Sequence, residues 1–204
     1  MKLKKLTLVI ITLFGMNAFA QKNINFGAKA GVNFSGFRSG ESTFTSRIGF
    51  NIGAMSELKI SDLVSVQGEI VYNRRGGNFS INQNLPYPNN HLKTYYVTTL
   101  DYIDIPIQGK IYFLKKMSVD FGPQIGFLIN DKVEIDDGIS NGENGDEVEF
   151  DNIQSIDFAL TGGFSYKFES NLIIQTRYNF GLTQVIKDAK YKNSMISLSL
   201  GYYF

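Results

Sequence analysis

Along most of the chain after residue 23, apolar residues alternate with polar or small ones at a period of two. The last stretch, Asn193 to Phe204, sets Ile196, Leu198, Leu200, Tyr202 and Phe204 against Ser197, Ser199, Gly201 and Tyr203. The first, Ile24 to Phe37, sets Phe26, Ala28, Ala30, Val32 and Phe34 against Gly27, Lys29, Gly31, Asn33 and Ser35. Six more stretches repeat the pattern: Arg47 to Ile60, Val64 to Asn73, Tyr102 to Phe113, Ser118 to Ile129, Ile156 to Phe168 and Leu172 to Leu182. Alternating side chains point to opposite faces of a strand, so each stretch predicts a β-strand with one apolar and one polar face. Pro106 lies inside the fourth and lacks a ladder donor, which predicts a bulge or a locally unpaired position there.

The connections alternate as strictly as the residues. Ser61-Asp62, Lys115-Lys116 and Glu169-Ser170 are short. Arg38 to Ser46, Arg74 to Thr94, Asp131 to Asn152 and Gln184 to Lys192 are long. A membrane barrel sorts its connections in this way, with short periplasmic turns, longer external loops and both termini in the periplasm. The apolar final strand would also be an aggregation-prone edge unless it closed the sheet on itself. These patterns predict an all-β protein, an eight-stranded antiparallel up-and-down transmembrane β-barrel. A charge on the lipid-facing side of such a strand costs roughly 2–4 kcal/mol at the midplane, so the apolar face belongs outside.

Charges deep within the strands therefore point inward. Lys29, Glu57, Glu69, Lys110, Asp120 and Arg177 carry both signs and are expected to form an ion-pair and hydrogen-bond plug. Eight strands leave an interior that side chains can fill, so no open channel is expected. Outward aromatics gather at the strand ends: Phe26, Phe113, Phe168, Tyr202 and Phe204 near one rim, and Phe34, Phe50, Tyr72, Phe127, Phe158 and Phe180 near the other. Tyr202 and the terminal Phe204 also resemble the carboxyl-terminal signal by which outer-membrane barrels are recognised for assembly.

The first residues read as a targeting segment. Lys2, Lys4 and Lys5 precede an apolar run from Leu6 to Met16 and an Ala18-Phe19-Ala20 cleavage site. Residues 1–20 are thus expected to be a signal peptide and residues 21–204 the barrel domain. The chain holds 20 Lys and Arg against 19 Asp and Glu. Loss of the three leader lysines leaves a slightly acidic mature protein, which provides no basic surface for nucleic acid. With no cysteine, neither a disulfide framework nor a lipid anchor on cysteine is available.

Several strands share a further vocabulary. Tyr102-Ile103-Asp104-Ile105-Pro106-Ile107 resembles the "YxEIP" strand of the PorT-like outer-membrane β-barrel family of Bacteroidetes, with Asp104 in place of the usual glutamate. Phe121-Gly122-Pro123-Gln124-Ile125-Gly126 resembles its "GP-x-x-G" strand, and Gly27 to Asn33 its early "GxKxGxN". Ser155 to Leu160 with Gly162-Gly163, and Arg177 to Leu182, are similar to its last strands. The resemblance implies an eight-stranded barrel of the bacterial outer membrane. It implies no shared enzymatic activity or catalytic residues, although PorT itself is associated with protein secretion and gliding.

Candidate chemistry is sparse. His91, the one histidine, lies in a Pro/Asn-rich segment with no nucleophile fixed beside it. No phosphate-cradling loop and no HExxH occurs. The loop from Asp131 to Asn152 is densely acidic, and Asp136, Asp137, Asp146 and Glu147 are weak candidates for calcium, without EF-hand spacing. Contact with Arg74, Arg75, Lys187, Lys190 or Lys192 is expected to supply part of that loop's screening. The expected protein is a non-enzymatic monomer of the outer membrane, without cofactor or nucleic acid. Its partners would be membrane lipid, the barrel-assembly machinery and an envelope protein met through the external loops, with secretion or surface function as the setting. The alternatives are an outer-membrane hydrolase or acyltransferase and a small porin.

Overall fold

A computed structural model of the chain describes residues 23–38, 47–83, 92–136, 153–187 and 191–204. The strands are β1 (Ile24–Arg38), β2 (Arg47–Lys59), β3 (Val64–Gln83), β4 (Leu92–Leu114), β5 (Met117–Asp136), β6 (Ile156–Lys167), β7 (Leu172–Gln184) and β8 (Lys192–Tyr203). Each pairs antiparallel with its sequence neighbours, and β8 returns to β1 to close the barrel. The closing seam runs from Gly27 opposite Tyr203 to Arg38 opposite Lys192. Closure removes the free edge that the apolar last strand would otherwise present.

The alternation sorts side chains as the sequence predicts. Leu198 on β8 is 49% exposed and its neighbour Ser199 only 3%. Along the wall the exposed positions are mostly apolar and include Val32, Ile52, Ile70, Ile107, Ile111, Phe121, Leu160 and Leu200, whereas the buried set is mostly polar or charged. A protein that is apolar outside and polar inside is stable only with lipid around its wall. Aromatic pairs flank the band: Tyr166 and Phe168 meet edge-on at 4.7 Å and Tyr202 and Phe204 at 6.0 Å near the turns, while Phe50 and Tyr72 lie 5.6 Å apart towards the loops.

The short turns share one end of the barrel with both strand termini; the other end carries the longer connections. In the turn before β7, Asn171 adopts φ 61°, a left-handed conformation that asparagine tolerates. Its carbonyl accepts a bond from the Tyr203 amide at 3.0 Å, tying the turn to the last strand.

Three strand boundaries differ from the alternation-based expectation. β3 runs on to Gln83, β4 begins at Leu92, and β5 continues to Asp136. The long break expected from Arg74 to Thr94 is therefore mostly strand. A membrane strand needs only about 9–11 residues, whereas β3, β4 and β5 have 20, 23 and 20. β2 is registered with β3 only as far as Asn73, and β6 with β5 only as far as Phe127. Beyond those points, among the described residues, the registered pairing of β3, β4 and β5 is with one another, apart from one Leu128 amide bond to the Ser155 carbonyl at 2.8 Å, so they form a three-stranded ribbon past the wall. Its ladder bonds hold it in spite of the Gly, Asn and Thr content that masks it in the sequence. Pro106 stays in register with Gln124 and has no bulge. Against β3 the register is the same at Gly68–Ile107 and at Val71–Asp104, and Pro106 between them is unpaired on that side, the locally unpaired position that the proline predicts. The irregularities of β4 fall at Asp101/Tyr102 and Tyr112/Leu114.

Candidate functional site: the barrel interior

Inward positions of all eight strands meet in a narrow lumen, and their side chains bridge it at several levels. At mid-barrel Glu69 of β3 is the hub. It lies 2.8 Å from Lys29 Nζ of β1 and 2.7 Å from Arg177 Nη2 of β7, and its side chain is fully buried. Arg177 also lies 3.9 Å from Asp120 of β5. Asp120 accepts bonds from Ser118, at 2.6 Å, and from Ser165. Lys110 of β4 lies 3.9 Å from Glu57 of β2 and donates to Gln67 at 2.8 Å. Glu57 accepts from Ser65 at 2.7 Å and from the Tyr112 hydroxyl at 2.5 Å. Three cations and three carboxylates from six strands thus form one linked cluster, in which the low-dielectric interior leaves no unbalanced charge.

A second cluster lies nearer the loop end. Arg75 of β3, fully buried, pairs with both Asp104 of β4 and Asp157 of β6, the latter at 2.9 Å. Its guanidinium stacks 4.2 Å from the Tyr102 ring. Asn73 donates to Asp104 at 2.6 Å; Thr183 and Asn193 donate to Asp157 at 2.6 and 3.1 Å. Gly126 makes this possible: a Cβ there would meet Tyr102 Cδ1 at 3.3 Å and Arg75 Nη2 at 3.4 Å. Gly163 does the same at mid-barrel, where a Cβ would sit 2.8 Å from Arg177 Cγ.

Apolar clusters close both ends. Met55, Ile173 and Tyr203 pack together at the turn end. Leu100, Tyr102 and Val185, with Phe37, Leu128, Ile153 and Ile186 against them, pack at the loop end. Two small cavities are lined by described residues: about 40 Å³ beneath Ile153 and Tyr191, and about 20 Å³ between Arg177, Asn179 and Gln124. The second has room for about one water and polar groups to hold it. Among the described residues the inward side chains occupy the lumen around these cavities and link the strands across it.

The six lumen charges named from the sequence are all buried. Glu69 joins Lys29 to Arg177, Lys110 faces Glu57, and Asp120 stands at the outer distance from Arg177. The Arg75–Asp104–Asp157 cluster was not anticipated. Its signal was present: Glu69, Val71 and Asn73 all point inward, and the same period continues to Arg75. Most of the acidic loop that Arg74 and Arg75 were expected to help screen lies outside the described residues. Arg75 is committed to the lumen, and Arg74 pairs with Asp101 on the outer side at 2.9 Å. Among the described residues no group of His, Cys, Asp and Glu is arranged to hold a metal. Asp137, Asp146 and Glu147, the side chain of Asp136, and His91 lie outside the described residues. Tyr202 and Phe204 both face outward at the turn end. There, outside the membrane span, Lys116 and Glu169 form an exposed pair at 2.7 Å. The hydrogen bond lowers the Glu169 carboxyl below the ordinary glutamate range and raises the Lys116 amine.

A family model described as an outer membrane protein β-barrel domain matches residues 19–187. No curated protein matches the chain in sequence. Among solved structures the chain is similar in fold to the attachment invasion locus protein Ail of Yersinia pestis. The two are 14% identical, with 89% of this chain and 99% of Ail covered and a TM-score of 0.54. A second Ail structure, with the heparin analogue sucrose octasulfate, gives 14% identity, the same coverage and a TM-score of 0.52. Neisserial surface protein A is 15% identical over 88% of this chain and 97% of its own, with a TM-score of 0.46.

Proposed function

The chain belongs to the outer membrane protein β-barrel domain family and resides in the bacterial outer membrane, and on that premise we propose that it is a non-enzymatic barrel that presents a binding ribbon to a partner in the envelope. The observation that carries this reading is the continuation of β3, β4 and β5 past the wall, above a lumen that is filled. A plugged barrel cannot serve as a conduit, so its work belongs to the surfaces outside the membrane. The lumen network of Lys29, Glu57, Glu69, Lys110, Asp120 and Arg177 acts as scaffold, holding the wall against the leverage of the ribbon.

The motif resemblance favours a PorT-like barrel of Bacteroidetes, with secretion or another surface function as the setting. Residues 1–20 serve as a cleaved signal peptide, and Tyr202 and Phe204 as the mark read by the assembly machinery. The loop end then faces outward, because the short turns and both strand termini share the periplasmic end.

Two measurements test the reading. The purified wild-type barrel in a planar bilayer should give no steady single-channel conductance, and a steady conductance would return it to the porins. A photocrosslinker at Ile129, on the outer strand of the ribbon, should capture a discrete envelope partner in intact cells; one at Ile107, in the lipid-facing band, should not. Equal yields from both positions would remove the ribbon from the account.

A further inference from the structure

At the loop end of the closing seam two cations, Arg38 and Lys192, face each other. On β1, Arg38 continues the outward row of Val32 and Phe34; on β8, Lys192 continues that of Leu198 and Ile196. The register sets Arg38 directly opposite Lys192, and Lys192 opposite Gln184 of β7. Like charges facing each other across a ladder destabilise it. Among the described residues neither cation has a carboxylate partner. The contrast is Arg74, the other outward arginine towards the loop end, which Asp101 neutralises at 2.9 Å.

The pair is also held in place. The Arg38 Cζ lies over the Phe180 ring, 3.6 Å from its centre, and the Arg38 Nη2 donates to the Gly181 carbonyl at 3.4 Å. Among the described residues its remaining N–H groups meet no acceptor. On the membrane side of the pair, the Tyr178 and Ser194 hydroxyls bond each other at 2.9 Å, and exposed Ile196 and Leu198 continue an apolar track towards the bilayer centre. A flat guanidinium fork beside a compact ammonium matches a tetrahedral anion, and the track below it matches acyl chains.

We propose that this seam binds the anionic phosphate headgroup of a lipid in the leaflet around the loop end, with Arg38 and Lys192 as ligands and the Phe180 ring as platform. The anion relieves the like-charge contact and so strengthens the strand pair that closes the barrel. The site rests on membrane residence and not on the ribbon, so partner capture at Ile129 and lipid binding here succeed or fail separately.

The test is a lipid titration of the detergent-solubilised barrel, read by native mass spectrometry, with diphosphoryl lipid A and phosphatidylcholine as probes. Wild type should bind lipid A in clear preference to phosphatidylcholine; no preference overturns the proposal without any variant. The pair Arg38→Gln with Lys192→Gln should weaken lipid A binding roughly thirtyfold, the effect of two juxtamembrane cations. Arg74→Gln should stay within about twofold, since its charge is already matched. Lys192→Asp replaces the opposed cations by an ion pair, so it should keep the barrel folded while losing the lipid. Unchanged affinity in either Lys192 variant overturns the site. Displacement of the lipid by excess inorganic phosphate alone would show that the seam takes a free anion, and overturns the lipid assignment.

Discussion

Glu69→Ala probes the lumen where it is most concentrated. The Glu69 side chain is fully buried and neutralises Lys29 at 2.8 Å and Arg177 at 2.7 Å. Its removal leaves two buried cations sharing Asp120, which stands 3.9 Å from Arg177. Breaking a buried pair by deleting one partner costs about 3–5 kcal/mol, because the charge left behind is uncompensated. With a urea slope of roughly 1–3 kcal/mol per molar, the unfolding midpoint should fall by about 2 M. Equilibrium unfolding from vesicles can be followed through the 11 tyrosines, since the chain has no tryptophan, and checked by the heat-shifted mobility of folded barrels on gels. Lys116→Ala is the control: its pair with Glu169 is exposed and screened by solvent, so the midpoint should barely move. Adding Arg177→Met to Glu69→Ala should recover part of the loss, since it removes one stranded charge. A Glu69→Ala midpoint equal to that of Lys116→Ala would refute the view that the ion cluster holds the barrel.

Two further outcomes are expected. Leu198→Arg puts a charge on the lipid face of β8 at roughly 2–4 kcal/mol and should block assembly into membranes, while Ser199→Ala, which loses one 2.9 Å bond to Asn51, should assemble at a cost of about 1 kcal/mol; equal assembly would mean the facing is wrong. In an NMR titration Glu169 should ionise below the usual glutamate range because of Lys116, and Lys116→Ala should restore the ordinary value. A depressed carboxylate contributes stability above its unfolded pKa and loses it as pH falls through the folded one, so this small contribution is present at neutral pH and vanishes in acid.

How much of this was legible beforehand follows from what a period of two can encode. Ile196, Leu198 and Leu200 against Ser197, Ser199 and Gly201 determined strand, facing and medium together, because a pleated strand has only two faces and only lipid suits an apolar outside. The even strand count and the alternation of Lys115-Lys116-type turns with long connections determined the barrel. What the alternation could not carry was reach. Residues 76–83 and 92–99 continue past the pairing of β2 with β3, where no solvent contrast imposes a pattern, so their ladders, β3 with β4 and β4 with β5, are what show them to be strand. Nor could the sequence pair the charges. Lys29 and Glu69 lie on strands that are not neighbours, as do Arg75 and Asp157. Their meeting depends on the stagger with which eight strands close, and on Gly126 and Gly163 leaving room for the guanidinium groups. That inward residues are polar was a property of each strand by itself; which acid met which base, and that Arg38 was left facing Lys192 across the closing seam, only the closed barrel decided, because partners across a lumen are set by shear and not by sequence spacing.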